Sequence, residues 1–204
     1  MLREYRGTLS NDRRWLLEQY NLAHFARKVV GVGSVGTRCW VALMVGLDNS
    51  DPLFLQVKEA EASVLEPYLG GSGYANHGQR VVEGQRLMQA ASDIFLGWQR
   101  ASGADGVERD YYLRQLRDGK GSVVVETMTP KDMEQYGRIC GQTLARAHAR
   151  SGDRVAIAAY LGTKDHFDRA MADFAEAYAD LNELDHQALS TAAADGRIVA
   201  QSGV

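Results

Sequence analysis

A glycine frame followed by a β-type run is the feature of this sequence that most restricts its fold. The stretch VVGVGSVGTRCWVALMVG, residues 29–46, sets Gly31, Gly33 and Gly36 in a Gly-x-Gly-x-x-Gly spacing. Such a spacing can bind phosphate in two unrelated folds, or it can form a turn that holds no ligand. The residues after Gly36 are rich in β-branched and aromatic side chains, which favours a strand at this position.

A dinucleotide-binding fold is the first interpretation of this frame. It requires a helix directly after the glycines to hold the pyrophosphate, and an acidic residue about 20 positions on to bind the ribose. Asp48 and Asp51 are candidates for that acid, but the run after Gly36 contains few helix formers. A P-loop is disfavoured as well, since no Gly-Lys-Ser/Thr follows.

A glycine loop between two strands, as in protein kinases, is the second interpretation. There the loop covers the phosphates, a lysine on the third strand contacts them, and a carboxylate on the following helix pairs with that lysine. The segments KVVGV, TRCWVALMVGL and LFLQVKEA match this order, and the last contains Lys58. We expect Glu83 to be the pairing carboxylate, and the rival candidates are Glu59, Glu61 and Glu66.

A plain hairpin is the third interpretation. The glycines would then form a tight or bulged turn, and Lys58 would be an edge-strand charge whose stem packs while its ammonium group reaches water. The spacing alone does not separate this interpretation from the kinase-type loop.

The rest of the chain predicts an α+β fold in three parts. Residues 1–25 form an N-terminal helix with Trp15, Leu16 and Tyr20 on its apolar side. Residues 26–125 form an antiparallel sheet of about five strands with one packed helix over residues 77–91. Residues 126–204 form a helical lobe whose first helix is capped by Thr129 and Pro130.

Composition disfavours two classes of partner. A formal net charge of -3 and a pI near 6.0 provide no global basic field for nucleic acid. No run approaches the roughly 20 apolar residues that span a bilayer. We therefore expect a cytoplasmic protein that binds neither nucleic acid nor membrane.

Several long blocks carry a resemblance to a known family. In chain order they are KVVGVGSVGTRCWVAL, LFLQVKEAEASVL, HGQRVVEGQRLMQAASDIFLGW, YYLRQLRDGKGS and CGQTLARAHARSGD. Together they resemble the C-terminal half of the bacterial family called domain of unknown function 2252, whose members look like circularly permuted relatives of protein kinases and aminoglycoside phosphotransferases. The resemblance implies that ATP with Mg²⁺ is the cofactor, and that Gly31, Gly33, Ser34, Gly36 and Lys58 contact the nucleotide.

The catalytic loop of that family is the part we expect this chain to lack. LARAHARSGD, residues 144–153, looks like the entry to such a loop and makes Asp153 the candidate base, but no asparagine follows at the required distance. The sequence offers no metal site. A separate chain supplying the missing half is therefore an expected partner. The competing hypothesis is a non-catalytic scaffold or interaction domain that retains only the fold.

Overall fold

The chain has an α+β fold with a five-stranded antiparallel sheet in its N-terminal part, followed by helices. We analysed a computed structural model, which describes residues 2–28, 36–103, 105–116, 121 and 123–200. Residues 1–152 and 153–204 form two compact units. The predicted fold class is confirmed.

The sheet has the strand order β1-β2-β3-β5-β4, and every neighbouring pair is antiparallel. Its strands are β1 (Asn21–Arg27), β2 (Cys39–Val45), β3 (Pro52–Ala60), β4 (Gly97–Ser102) and β5 (Glu108–Gln115). Two helices separate β3 from β4, namely α3 (Glu66–Leu69) and α4 (His77–Met88). The chain therefore crosses from the centre of the sheet to its edge by way of α4.

The register sorts the side chains onto two faces. Trp40 on β2 pairs with Val57 on β3, which pairs with Leu113 on β5; we call their side the core face. Cys39 pairs in the same way with Lys58, which pairs with Tyr112. Since consecutive side chains of a strand point in opposite directions, these last three residues lie on the other side of the sheet, the α4 face.

Two short N-terminal helices cover part of the core face. They are α1 (Leu2–Gly7) and α2 (Asn11–Leu17), which contribute Tyr5 and Leu17 to the buried cluster. The ring of Tyr5 lies so close to β4 that a Cβ atom at Gly97 would fall 2.8 Å from its Cε2 atom. Gly97 thus permits α1 to pack directly on the edge strand.

Hydrogen bonds to Asp110 on β5 hold the start of helix α4 against the sheet. The Asn76 side chain caps α4 and donates to Asp110 at 2.9 Å, and the backbone N–H of His77 donates to it at 2.8 Å. Burial alone would raise the pKa of Asp110, but hydrogen bonds from Arg100 and the His77 N–H outweigh it, so the pKa lies below its usual value. The start of α4 is thus held on β5.

The main local difference between the sequence prediction and the structure lies in residues 1–25, where we expected one N-terminal helix. The structure has two short helices there, followed by strand β1, which begins at Asn21, whereas most of the predicted strand KVVGV, residues 29–32, lies outside the described residues. Trp15, expected on the apolar side, is 71% exposed, whereas Leu17 is buried. β1 is an edge strand with mostly exposed side chains, so its pairing with β2 determines its conformation more than its own pattern does.

Helix α5 (Pro130–Ser151) has the predicted capped start and belongs to the first unit. Thr129 and Asp132 form a capping box at its start, with Pro130 in the first turn. The second unit contains α6 (Arg154–Leu161) and α7 (His166–Ala194). Five apolar side chains that recur at helical spacing along α7 are 38% to 58% exposed: Phe167, Met171, Phe174, Tyr178 and Leu181.

Candidate functional site

The glycine frame joins two antiparallel strands. Gly31, Gly33 and Ser34 lie outside the described residues. Gly36 is described, and its φ of 85° lies in the left-handed region that favours glycine. The backbone N–H of Lys28 donates to the Cys39 carbonyl at 2.9 Å, so the pairing of the two strands extends to the edge of this segment. A strand follows the last glycine, and the helix that a dinucleotide fold needs is therefore not formed by residues 39–45.

Lys58 lies on β3 directly across from the start of β2. Its neighbours in the sheet are Cys39, the first residue of β2, and Tyr112 on β5. The Lys58 side chain is half-buried and lies on the α4 face. Burial raises the pKa of Tyr112 beside it. Lys58 therefore lies across from a residue that follows Gly36 by three positions.

A second cation lies on the same face. Gln56, two residues before Lys58, accepts a 3.0 Å hydrogen bond from Nε of Arg114 on β5. Gln56 is buried and Arg114 is half-buried. This face of β3 and β5 therefore carries two positive side chains on neighbouring strands, an arrangement that favours an anion.

Glu83, the expected partner of Lys58, forms an ion pair with Arg86 on its own helix. The Oε1 atom of Glu83 lies 3.0 Å from Nη1 of Arg86. Arg86 also donates to the carbonyl of Leu96 at 2.7 Å, and its guanidinium carbon lies 5.6 Å from the ring centre of Trp98. The contact between Lys58 and Glu83 stays a prediction.

Two of the three rival carboxylates, those of Glu59 and Glu66, have other partners. Glu59 lies on the core face, where it forms ion pairs with Arg38 and Arg109. The side chain of Glu66 accepts a hydrogen bond from the backbone N–H of Ser63 at 3.1 Å. Glu61 contributes its backbone carbonyl to Arg80 at 2.8 Å. These contacts assign a structural part to two of the three side chains.

Asp153, the candidate base, caps α6. Its Oδ1 atom accepts hydrogen bonds from the backbone N–H groups of Val155 and Ala156 at 2.9 and 3.0 Å. This is the usual geometry of an aspartate at the N-cap position. The side chain accordingly has a structural explanation that does not involve catalysis.

A charged network on the core face was not anticipated from the sequence. Arg109 forms ion pairs with Glu59 at 3.2 Å and with Asp105 at 2.7 Å, and Arg38, which directly precedes β2, pairs with the same two carboxylates. The hydrogen bond from Arg109 lowers the pKa of Asp105 well below its usual range. Asp105 and Arg109 are four residues apart, but Arg38 and Glu59 are distant from them in the chain, and the strand register, which sequence patterns do not reveal, brings them to this pair.

Across the described ranges, no three His, Cys, Asp or Glu side chains are grouped so that they could hold a metal ion. Of the helices in those same ranges, none is both long and apolar enough to span a membrane.

Comparison with known proteins identifies the family. Residues 1–192 match the family described as uncharacterised proteins conserved in bacteria, DUF2252. No curated protein and no solved structure matches the chain. Since the match covers most of the sequence, the chain belongs to this bacterial family.

Proposed function

We propose that this member of the DUF2252 family binds the phosphates of a nucleotide, ATP with Mg²⁺, between its glycine frame and Lys58. The observation that carries the proposal is the position of Lys58 on the third strand, across from the residue that opens β2. The kinase resemblance suggested this position, and the register of the sheet is consistent with it.

The order of elements supports the proposal. Protein kinases place a glycine loop between their first two strands, a phosphate-contacting lysine on the third, and a pairing carboxylate on the helix that follows. Here the glycine frame lies between β1 and β2, Lys58 lies on β3, and α4 follows on the face to which Lys58 belongs. Gly31, Gly33, Ser34 and Gly36 would cover the phosphates through their backbone N–H groups.

The charges of the described residues also fit an anionic ligand. Lys58 and Arg114 lie on the α4 face, and the carboxylate of Asp110 on that face is already paired with Arg100 at 2.7 Å. Mg²⁺ keeps several waters and takes few protein ligands, so the phosphates themselves would be its main ligands here. Lys58 would neutralise and position the phosphates.

Glu83 has a defined part in the proposal. To pair with Lys58, as the kinase arrangement requires, it would exchange Arg86 for Lys58. Nucleotide binding is therefore expected to disturb the contact between Glu83 and Arg86, and with it the packing of Arg86 over Trp98.

The second candidate function is a non-catalytic scaffold or interaction domain. The existing pair of Glu83 and Arg86 favours it, because that pair satisfies the carboxylate without a ligand. If the nucleotide proposal is correct, the catalytic loop that the family resemblance leads us to expect would come from elsewhere, such as a separate chain.

Calorimetric titration with ATP, with and without Mg²⁺, tests the proposal. We expect Lys58→Ala to weaken ATP binding about 10- to 100-fold, as expected for one lost hydrogen bond to a charged group. Lys131→Ala, an exposed lysine on α5, is the matched control and should bind like the wild type. Glu83→Gln should weaken binding only if Glu83 positions Lys58. Equal affinity in Lys58→Ala would exclude Lys58 from the site, and no binding by the wild type would leave the scaffold hypothesis.

A further inference from the structure

A cavity opens on the core face, beside the part that α1 and α2 cover. Its volume is about 390 Å³, within the usual range for small-molecule sites. All five strands contribute to its walls, and the residues used below are Phe25, Trp40, Val57, Gln99, Ala101 and Tyr111.

Gln99 is an unusual residue for such a wall. It is 2% exposed, and neither its Oε1 nor its Nε2 atom has a hydrogen-bond partner within the described part of the chain. Its cross-strand partner is Tyr111, and Ala101 follows two residues later, so Gln99 lies on the same face as two other cavity residues. A buried amide without partners is costly unless a bound molecule or water supplies them.

An aromatic pair forms the opposite side. The rings of Phe25 on β1 and Trp40 on β2 are stacked, with centroids 5.1 Å apart and planes at 18°. Trp40 is the cross-strand neighbour of Val57, so its side chain lies on the cavity side of the sheet. A flat aromatic wall favours a flat aromatic ligand, since offset stacking adds to the gain from burial.

The charged groups at the rim are already paired. Arg38 and Asp105 line the cavity, and each forms ion pairs, with Glu59 and Arg109 as well as with each other. Two guanidinium groups and two carboxylates cancel formally. The rim therefore offers no net charge to a ligand, and it favours a neutral one.

We propose that this cavity binds a neutral, planar heteroaromatic ring that carries a hydrogen-bond donor next to an acceptor. A carboxamide or lactam group has this pattern, and it would meet both polar atoms of Gln99 at once. The ring would pack against Phe25 and Trp40. Trp40 and Val57 lie on the core face, whereas Lys58 lies on the α4 face. This site is therefore separate from the proposed phosphate site and does not depend on it.

Nicotinamide and toluene are the probes for the test, since both present a six-membered ring and only nicotinamide carries a carboxamide. Binding to the full chain is followed by chemical-shift changes in two-dimensional NMR spectra, including the side-chain amide of Gln99. We expect wild type to bind nicotinamide with a Kd of about 1 mM or tighter and to prefer it to toluene.

The decisive variant is Gln99→Leu, which keeps the approximate volume but removes the amide. It should lose at least about 10-fold in affinity for nicotinamide and gain affinity for toluene. Because the change removes two buried polar atoms without partners, the variant should fold at least as well as wild type. Gln85→Leu, a half-buried glutamine on α4, and Lys58→Ala are controls and should leave both affinities unchanged.

Three results would overturn the proposal. They are equal nicotinamide affinity in wild type and Gln99→Leu, a preference of wild type for toluene, and no binding of nicotinamide at about 10 mM. The last result would mean that the amide of Gln99 is hydrated rather than reserved for a ligand.

Discussion

The hydroxyl group of Tyr5 on α1 donates a 2.6 Å hydrogen bond to the carbonyl oxygen of Phe95, which precedes β4. Tyr5 is fully buried, and burial raises the pKa of its hydroxyl far above the usual value, so the group stays protonated and able to donate. This contact links two residues that are 90 positions apart in the sequence.

We predict that Tyr5→Phe lowers the free energy of unfolding by about 1 to 3 kcal/mol. The ring remains, but the buried Phe95 carbonyl loses its donor. Urea unfolding followed by circular dichroism measures the change. Tyr68→Phe is the matched control, because Tyr68 is 83% exposed and should tolerate the loss of its hydroxyl. Equal effects of the two substitutions would contradict the structural part assigned to Tyr5.

Two glycines of α4 should respond in opposite directions to alanine. A Cβ atom at Gly78 would clash with the backbone carbonyl of Tyr111, whereas one at Gly84 would meet nothing within 4 Å. Gly78→Ala should destabilise by about 1 to 3 kcal/mol through overpacking. Gly84→Ala should stabilise by up to about 1 kcal/mol through helix propensity. Thermal and urea unfolding of the pair provide the measurement, and stabilisation by Gly78→Ala would refute the close approach of α4 to β5.

Stability should fall in acid partly through Asp110. Its pKa is lower in the folded chain than in the unfolded chain, so the unfolded chain takes up the proton more readily. The contribution is present above about pH 4, the ordinary value for aspartate, and is lost as the pH falls through the lower folded pKa. Unfolding free energies measured from pH 7 downwards should show this loss.

Asp110→Asn isolates that contribution. At pH 7 the variant should be less stable by about 1 to 3 kcal/mol, because the charge-assisted bonds from Arg100 become ordinary ones. The difference between wild type and variant should begin to shrink below about pH 4, where the unfolded chain is protonated, and should be smallest below the lowered folded pKa, where the folded wild type is neutral too. A difference that stays constant into strong acid would show that charge at Asp110 is not the cause.

Asp153 should behave as a helix cap. Asparagine caps helices about as well as aspartate, whereas alanine costs about 1 kcal/mol. Asp153→Asn should therefore leave hydrogen exchange of the Val155 and Ala156 amides unchanged, and Asp153→Ala should accelerate it. If the protein transfers a phosphoryl group, Asp153→Asn should keep that activity. Loss of the activity with unchanged amide hydrogen exchange would show that Asp153 acts as the catalytic base.

Local patterns predicted those elements whose sequence determines them directly. Thr129 and Pro130 specify the start of α5 through capping chemistry, and the β-branched run after Gly36 specifies β2. Strand β1 was not predicted over residues 21–25, which were assigned to the N-terminal helix, because NLAHFAR lacks a clean alternating pattern. Its pairing with β2, which includes an irregularity between Leu22 and His24, is a tertiary effect that the segment alone does not reveal.

For the candidate site, the sequence indicated a residue but not its contacts, and the role of that residue stays a prediction. Lys58 could be recognised because a lysine in an apolar strand is conspicuous, and the strand order then fixed its neighbours. The partner of Glu83 could not, since a carboxylate three residues before an arginine on a helix can turn to either side. Gln99 gave no signal at all: its burial results from the packing of β4 beside Tyr111, which depends on the register of distant strands.

Consecutive residues of strand β2 face the two proposed sites, which lie on opposite faces of the sheet. Cys39 lies beside Lys58 on the α4 face, and Trp40, the next residue, forms a wall of the cavity on the core face. Inserting or deleting one residue between Gly36 and Cys39 would leave the glycines intact, yet it would turn each side chain of β2 to the opposite face or force a bulge. Length variation among members of the family should therefore be rare at this point, and where it occurs in steps of two it would preserve both faces.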